Sequence, residues 1–225
     1  MHNAVVDESE FWTIVDEARA GLGRDRDDSQ ALAGALVQQL AAQSADTIAG
    51  VGRRLDRLRN TLYRWDVWAA AYLIGGGCSD DSFLDFGAGV TALGRDWYAR
   101  VLASPDALAD HPVIRRAAAA ENYGAVVAEP MLYVADEAME QLTGDEHAYG
   151  NVLDEDSDDL DRDQSADPAG EDFDDGAEMR RRCPDSPPCT CRPARNGGNS
   201  VPPGIGRGRT KRGPPEGRAR DRVCR

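Results

Sequence analysis

Apolar residues recur at helical spacing along most of the first 150 residues, and strict two-residue alternation is absent. Serine stands where several of these stripes begin, and we predict that Ser9 and Ser29 cap the first two helices and that Ser44 or Asp46 opens the third. The pattern therefore predicts an all-α fold, with a single compact domain of six to eight helices over residues 8–145.

The fourth predicted helix has the sequence RWDVWAAAYLI, residues 64–74. Trp65, Trp68 and Tyr72 lie on one face at helical spacing, while small alanines occupy the rest. Such a helix can pack on several sides, so we expect it to be central. Three glycines at 75–77 come next, and one of them can supply the left-handed residue that ends a helix.

The composition changes after residue 150. Twelve of the 22 residues from 154 to 175 are acidic, and the chain beyond Cys183 is rich in Pro, Gly and Arg. Neither composition can offset the entropy of ordering by burial. We predict a helical domain over residues 1–150, a disordered acidic linker over 151–179 and a disordered basic tail over 180–225.

The net charge of −14 conceals two regions of opposite sign. Residues 180–225 hold 13 Lys and Arg against three acidic residues, which gives +10 there and leaves −24 on the rest. An acidic body opposes non-specific binding to nucleic acids and favours a basic protein partner. Any binding to a nucleic acid is therefore expected through the basic tail alone.

The first twelve residues, MHNAVVDESEFW, carry acids where a secretory signal needs a basic start and an apolar run. No apolar stretch approaches the 18 or so residues of a membrane span. We therefore expect a cytoplasmic protein that has no membrane association.

Cys78 is the one cysteine of the predicted domain, in the turn GGGCSDD. A nucleophilic cysteine needs a lowered pKa and a nearby base, whereas Asp80 and Asp81 place negative charge beside this sulfur. A structural role as a small buried side chain is the simpler interpretation of Cys78. The serine and the two aspartates then serve to cap and charge the start of the next helix.

This turn and the aromatic helix before it form the candidate binding region. Its candidate residues are Trp65, Asp66, Trp68, Cys78, Asp80 and Asp81. No complete nucleophile set is present, and no spacing of His, Cys or acidic residues predicts a metal site. We accordingly assign no catalytic residue, expect no metal and expect no cofactor.

Four stretches carry a family likeness: FWTIVDEAR, YRWDVWAAAYLIGGGCSDDSF, LGRDWYARVLASPDALAD and LYVADEAMEQLTG. Together they resemble a bacterial family catalogued as domain of unknown function 4240, which is often seen in actinobacteria. The likeness covers residues 8–145. It implies a helical cytoplasmic domain and assigns no catalytic residue.

The chain departs from the family pattern at two places. The sequence FGAGV has Gly87 and Gly89 where the family tends to have Arg and Trp, which predicts unfilled space and the weakest helix of the domain. The stretch EDFDDGAEMRRRCP resembles the acidic close of the family. The residues beyond it form either a natural basic tail or an out-of-frame extension.

These observations favour an interaction or regulatory module of the adaptor or immunity type, because the necessary parts of several chemistries are missing. One alternative is a hydrolase that uses Cys78 or the Asp80 and Asp81 turn. The other is a protein that binds nucleic acid through its basic tail.

Overall fold

A computed structural model describes residues 6–120, 122, 124–155, 167–173 and 176–186, all of which belong to one compact unit. Within these residues the secondary structure is helical, with one isolated bridge between Arg64 and Ala169. The α-helices are α1 (Glu8–Leu22), α2 (Ser29–Leu40), α3 (Ala45–Thr61), α4 (Trp65–Gly75), α5 (Asp80–Ala92), α6 (Arg95–Ala103), α7 (Pro112–Ala119), α8 (Val134–Thr143), α9 (Ala148–Glu155) and α10 (Gly176–Arg182). Three 3₁₀ helices add to them, Gly23–Asp25, Pro105–Asp110 and Glu129–Tyr133.

The helical class predicted from the sequence is confirmed, but the count of six to eight is too low for the part of the chain that is described. Short 3₁₀ helices that contain Pro105 and Pro130 near their starts add to the count. It also continues into α9 and α10 after residue 145. None of the described helices combines the length and apolar character needed to cross a bilayer.

The main core lies where α1 and α8 pack on α2 and α3. Helix α5 closes this core from the other side, against α3 and the 3₁₀ helix Glu129–Tyr133. The largest side chains buried there include Phe11 and Trp12 of α1, whose rings meet edge to face with centroids 5.2 Å apart. The apolar stripes read from the sequence therefore face a common interior.

Helix caps follow the predicted chemistry, although two of them lie earlier in the chain than expected. Of the two candidates for α3, Ser44 is the cap and accepts a hydrogen bond from the Thr47 amide, while Asp46 lies in the first turn. Asp7 and Asp28, in place of Ser9 and Ser29, cap α1 and α2. A carboxylate is as good a cap as a hydroxyl, and these two stand directly before the first helical residue.

Helix α5 does not contain the unfilled space that Gly89 predicted. A side-chain carbon placed on Gly89 would lie 1.7 Å from the Val126 carbonyl oxygen, because the 124–128 segment packs directly against the helix backbone. The Ala128 amide also donates to the Asp85 carbonyl at 3.1 Å. Backbone therefore fills the space at this position, and the glycine is what lets it approach.

Helix α4 lies between two apolar clusters. Val67, Trp68 and other residues join the main core, whereas Ala69, Ala70 and Leu73 form a separate cluster. The helix is buried on several sides, as predicted from its sequence. Part of its cover comes from the C-terminal end of the described chain.

We call residues 167–173 and 176–186 the C-terminal strap, because both stretches lie along the helical domain. In the range 151–179, predicted to be a disordered linker, residues 151–155 belong to α9 and 176–179 to α10, and α10 runs into the predicted basic tail as far as Arg182. A few apolar side chains are enough to hold the strap against the domain, because α4 offers them a matching apolar face. Residues 156–166, 174–175 and 187–225, on which the rest of the linker and tail predictions fall, lie outside the described residues.

Candidate functional site

The GGGCSDD turn joins α4 to α5 with capping geometry at both ends. Gly76 ends α4 in the left-handed conformation at φ 70°, and Ser79 caps α5 by accepting from the Ser82 amide at 3.2 Å. The Trp68 indole donates to the Cys78 carbonyl at 3.3 Å, which fixes the turn to α4. The interpretation of this stretch as a helix stop followed by a helix start is confirmed.

Cys78 is half-buried, and its thiol donates to the Ser79 carbonyl at 3.6 Å. Burial, with the nearby charges of Asp80 and Asp85, raises the pKa of Cys78 to about 12. The thiol is therefore neutral at physiological pH. Among the described residues, the two histidines are engaged elsewhere: His111 caps α7, and His147 pairs with Glu146.

The two candidate tryptophans belong to a continuous aromatic cluster. Trp68 stacks on Phe83 with centroids 4.6 Å apart and planes 9° apart. The ring centroid of Trp65 lies 5.9 Å from that of Trp68. Trp65 also meets Phe173 of the strap edge to face, with centroids 5.4 Å apart. The ring centroids of Tyr63 and Phe83 are 5.7 Å apart, so Tyr63 also belongs to the cluster. The cluster thus connects the interior of the domain to the strap.

The Asp66 carboxylate is engaged in local structure. Arg64 donates to both of its oxygens, one of them at 3.0 Å, and the Val67 amide donates to it at 2.9 Å. Arg64 also donates to the Leu102 carbonyl at 2.9 Å. This carboxylate orders the start of α4, and its oxygens are not free for acid or base chemistry.

Asp80 and Asp81 are exposed in the first turn of α5, as the capping interpretation requires. Burial is the main cause that raises the pKa of the Tyr63 phenol, and the charges of Asp80 and of Asp167 in the strap add to it. The start of the strap therefore lies near the polar side of the turn.

The structure does not bring the six candidates into one site. Trp65 and Asp66 face the strap, Trp68 and Cys78 are tied to the interior of the turn, and the two aspartates face solvent. Within the described part of the chain, no group of three or more His, Cys, Asp or Glu side chains is placed to hold a metal ion. Of the six, Trp65 and Asp66 are the ones that contact the strap, through Phe173 and Cys183.

The first half of the strap attaches through its backbone and one ring. The Trp65 amide donates to the Ala169 carbonyl at 3.0 Å, and the Ala169 amide donates to the Tyr63 carbonyl at 3.0 Å. These two bonds form the isolated parallel bridge next to Arg64. Phe173 then packs on Trp65, so this half is held at the start of α4.

The second half of the strap lies along an apolar surface that we call the α4 groove, formed by Ala69, Ala70 and Leu73. Met179 and Cys183, four residues apart at α10 and its C-terminal end, insert into it and are 2% and 1% exposed. The Cys183 thiol also donates to the Asp66 carbonyl at 3.8 Å. Spacing of i and i+4 places both side chains on the same helix face.

The end of the strap is held by hydrogen bonds to Asp106, which lies in the 3₁₀ helix Pro105–Asp110. We call these bonds the clamp on Asp106. This carboxylate accepts from the Asp185 amide at 3.0 and 3.1 Å, from the Ser186 amide at 2.8 Å and from the Ser186 hydroxyl at 2.9 Å. Ser186 is buried, although it lies at the end of the described chain. A carboxylate that accepts several amide bonds is a strong anchor.

The sequence reasoning missed the residues that build this surface. Ala69 and Ala70 are fully buried, but the partner that buries them is more than 100 residues away in the chain. The sequence of α4 does indicate their burial. Its alanine face has no polar side, so another element must cover it. The packing of the strap is hard to predict from its sequence, because Met179 and Cys183 are isolated among charged residues.

A known family model matches most of the helical domain. The family model described as Protein of unknown function (DUF4240) matches residues 6–141, which is more than half of the chain. The chain belongs to the DUF4240 family. No curated protein and no solved structure matches it. The α4 groove lies inside the DUF4240 region, and the strap lies outside it.

Proposed function

We propose that this DUF4240 protein is a cytoplasmic protein-interaction module whose α4 groove binds a basic amphipathic helix. The observation that carries the proposal is the strap, since a short basic helix of the same chain already lies in that groove. The strap serves as a template for the partner, which needs two apolar side chains at i and i+4 to replace Met179 and Cys183.

The proposed mode is helix-in-groove recognition, in which anchors on one helix face enter an apolar groove. The groove takes small and flexible side chains because its floor is alanine. Arg180, Arg181 and Arg182 come directly after Met179 in the strap, and residues 1–150 carry 24 acidic against 12 basic side chains. Charge complementarity of this kind speeds association and selects basic partners.

The strap gives this module a built-in competitor. A tethered segment acts at an effective concentration on the order of millimolar, so a partner in trans must bind more tightly than the strap in order to displace it. The protein would then respond to its partner by releasing the strap, which accounts for the regulatory role that we favour.

A peptide-binding experiment on the full chain tests the proposal. Met179→Gln places an amide in the groove and should release the strap, whereas Arg181→Gln alters an exposed side chain of the same helix. A fluorescein-labelled peptide of residues 167–186 should bind the Met179→Gln chain about tenfold more tightly than either the wild type or Arg181→Gln.

The second variant needed is Ala70→Arg in the Met179→Gln background, which fills the groove and should abolish peptide binding. Circular dichroism confirms that each variant is folded. Equal peptide binding by the Met179→Gln and Arg181→Gln chains, both folded, would refute the groove as a helix-binding site.

The two alternatives have less support. A hydrolase based on Cys78 would need a thiolate, which a pKa of about 12 opposes, and Asp80 and Asp81 are exposed carboxylates. Binding of nucleic acid through the basic tail stays a prediction, because most of that tail lies outside the described residues. Its test is an affinity that falls steeply with salt and is lost on truncation after residue 179.

A further inference from the structure

The clamp on Asp106 gives the strap a second contact surface beside the α4 groove, because the 3₁₀ helix Pro105–Asp110 packs against α4. Pro184 stands just after α10, where proline is common because it cannot continue a helix. The next two residues, Asp185 and Ser186, direct their backbone amides to the same carboxylate. The helix end and the clamp are therefore consecutive parts of one bound segment.

The Asp106 carboxylate contacts both the backbone and a side chain of the strap. One of its oxygens accepts from the Ser186 amide at 2.8 Å and from the Ser186 hydroxyl at 2.9 Å. These partners are all donors, which suits an ionised carboxylate because it can only accept. The ion pairs found among the described residues involve other carboxylates, so the charge of Asp106 is directed at the strap.

The Ser186 hydroxyl is buried at this contact. Ser186 is 3% exposed, although serine is usually a surface residue. A buried hydroxyl needs a hydrogen-bond partner, and a bond to an ionised acceptor is about twice as strong as one between neutral groups. The clamp therefore favours a serine over a residue that has no donor on its side chain.

A phosphate on this serine would reverse the interaction. A phosphoserine carries about −1.5 to −2 charge at pH 7, and a neighbouring acidic side chain repels it. Here it would replace a donor that lies 2.9 Å from the Asp106 carboxylate. Arg182 is not placed to compensate, since it is engaged with Glu178 and with two carbonyls of the strap.

We propose that Asp106 extends the α4 groove into a composite site, which selects partners with an unmodified serine after the anchor helix and rejects the phosphorylated form. The inference rests on the proposed function, because it takes the strap as the template for the partner. The partner then carries two apolar anchors at i and i+4, a proline directly after the second anchor and a serine two residues further on. The strap has this pattern in MRRRCPDS, residues 179–186.

The test measures binding of peptides of residues 167–186 to the full-length Met179→Gln chain by fluorescence anisotropy. The peptides are amidated, so that no terminal carboxylate lies beside Asp106. Ser186→Ala should bind about tenfold more weakly than the unmodified peptide, because a hydrogen bond to a charged group is lost. A peptide with phosphoserine at 186 should bind at least about tenfold more weakly again.

A control peptide and two variants of the protein locate the effect. The Asp185→Ala peptide loses an exposed side chain and keeps its amide, so it should bind at least as tightly as the unmodified peptide. Asp106→Asn in the Met179→Gln background keeps an acceptor oxygen without the charge, and the phosphopeptide should then bind within about threefold of the Ser186→Ala peptide. Asp110→Asn removes a carboxylate of the same 3₁₀ helix that pairs with Arg115, and it should keep the full discrimination.

The peptide series separates this inference from the proposed function. If the unmodified peptide binds and Ala70→Arg abolishes that binding, the groove stands. Equal binding of the unmodified, Ser186→Ala and phosphoserine peptides would then overturn the role of Asp106 alone. Equal discrimination by the Asp106→Asn and Asp110→Asn chains would overturn it as well. Circular dichroism shows that each chain is folded.

If no peptide binds, the proposed function and the selection of a partner both fail, and the strap of the full chain decides whether Asp106 recognises its serine. Hydrogen exchange of the α10 amides should be about tenfold faster in Ser186→Ala and in Asp106→Asn than in the wild type, and unchanged in Asp110→Asn. Exchange at the wild-type rate in the first two variants would show that the clamp does not hold the strap.

Discussion

At the scale of single residues, two glycines two positions apart in α5 have opposite environments. A side-chain carbon on Gly89 would collide with the Val126 carbonyl, whereas one on Gly87 would meet the Arg59 side chain at an ordinary 3.6 Å. Both glycines cost the helix about 1 kcal/mol relative to alanine. The cost at Gly89 is offset by close packing of the 124–128 segment, and the cost at Gly87 is not.

Gly89→Ala should therefore lower the free energy of unfolding by about 2–3 kcal/mol, since the backbone of Val126 must move. Gly87→Ala should leave the free energy of unfolding unchanged or raise it by up to about 1 kcal/mol. Urea unfolding followed by circular dichroism measures both. A Gly89→Ala chain as stable as Gly87→Ala would show that the segment does not pack against α5.

Local features of single residues could be predicted from the sequence. A cap at the start of α5 follows from local chemistry, and the structure places it at Ser79. The raised pKa of Cys78 agrees with the expectation of a poor nucleophile, which stays a prediction. The environment of Gly89 does not follow in this way, because its neighbour Val126 is 37 residues away and touches it with backbone. No side-chain pattern encodes a contact of that kind.

At the scale of helices, α7 depends on a titratable cap. The His111 side chain accepts from the Val113 amide at 3.1 Å through Nδ1, so it must be neutral with its proton on Nε2. Burial is the main cause that lowers its pKa from 6.5, opposed by Asp27 and assisted by Arg19, Arg116 and Arg26. Protonation would remove the cap and place a charge against Trp97, whose ring lies 4.5 Å from the imidazole.

A lowered folded-state pKa means that the unfolded chain binds the proton more readily. The stability that His111 contributes is thus fully present above pH 6.5 and is lost as the pH falls below it. Between pH 7.5 and 5.5 we expect the free energy of unfolding to decrease, by at most about 1.4 kcal/mol per pH unit for one proton.

The variant His111→Asn should remove this dependence, because an amide oxygen can cap α7 without titrating. The control is His147→Asn, at an exposed histidine, which should retain the slope. Urea melts across this pH range give the comparison, and an unchanged slope in His111→Asn would assign the effect to other groups.

Helix α4 illustrates the limit of prediction at this scale. Its all-round apolar character correctly indicates packing on several sides, but the sequence does not say which element supplies the cover. That element is α10. Its sequence has the pattern of a charged tail, because only Met179 and Cys183 reach the groove. The helical fold and the family likeness could be predicted from local patterns, and the groove with its strap could not, because they depend on contacts between distant segments.

At the scale of the whole molecule, the strap makes the end of the described chain part of the folded unit. Apolar contacts at α4, two backbone bonds at Ala169 and the clamp on Asp106 hold it at three separate points. Its removal would expose Ala69, Ala70 and Leu73 to water.

A chain that ends after residue 175 should accordingly melt several degrees below the full chain, since loss of burial of Met179 alone corresponds to about 2 kcal/mol. A chain that ends after residue 186 keeps every described contact of the strap, and it should melt with the full chain. Differential scanning calorimetry decides between them, and equal melting of the two shortened chains would mean that α10 contributes no stability.

The long separation between α4 and its cover also has a consequence during synthesis on the ribosome. The bond from Cys183 to the Asp66 carbonyl spans 117 residues, which at about 5–20 residues per second corresponds to roughly 6–23 s of elongation. Through that interval the nascent α4 presents its alanine and leucine face to its surroundings without α10. The newly made protein therefore passes through a stage in which the groove is uncovered, when a chaperone or a partner can reach it before the strap does.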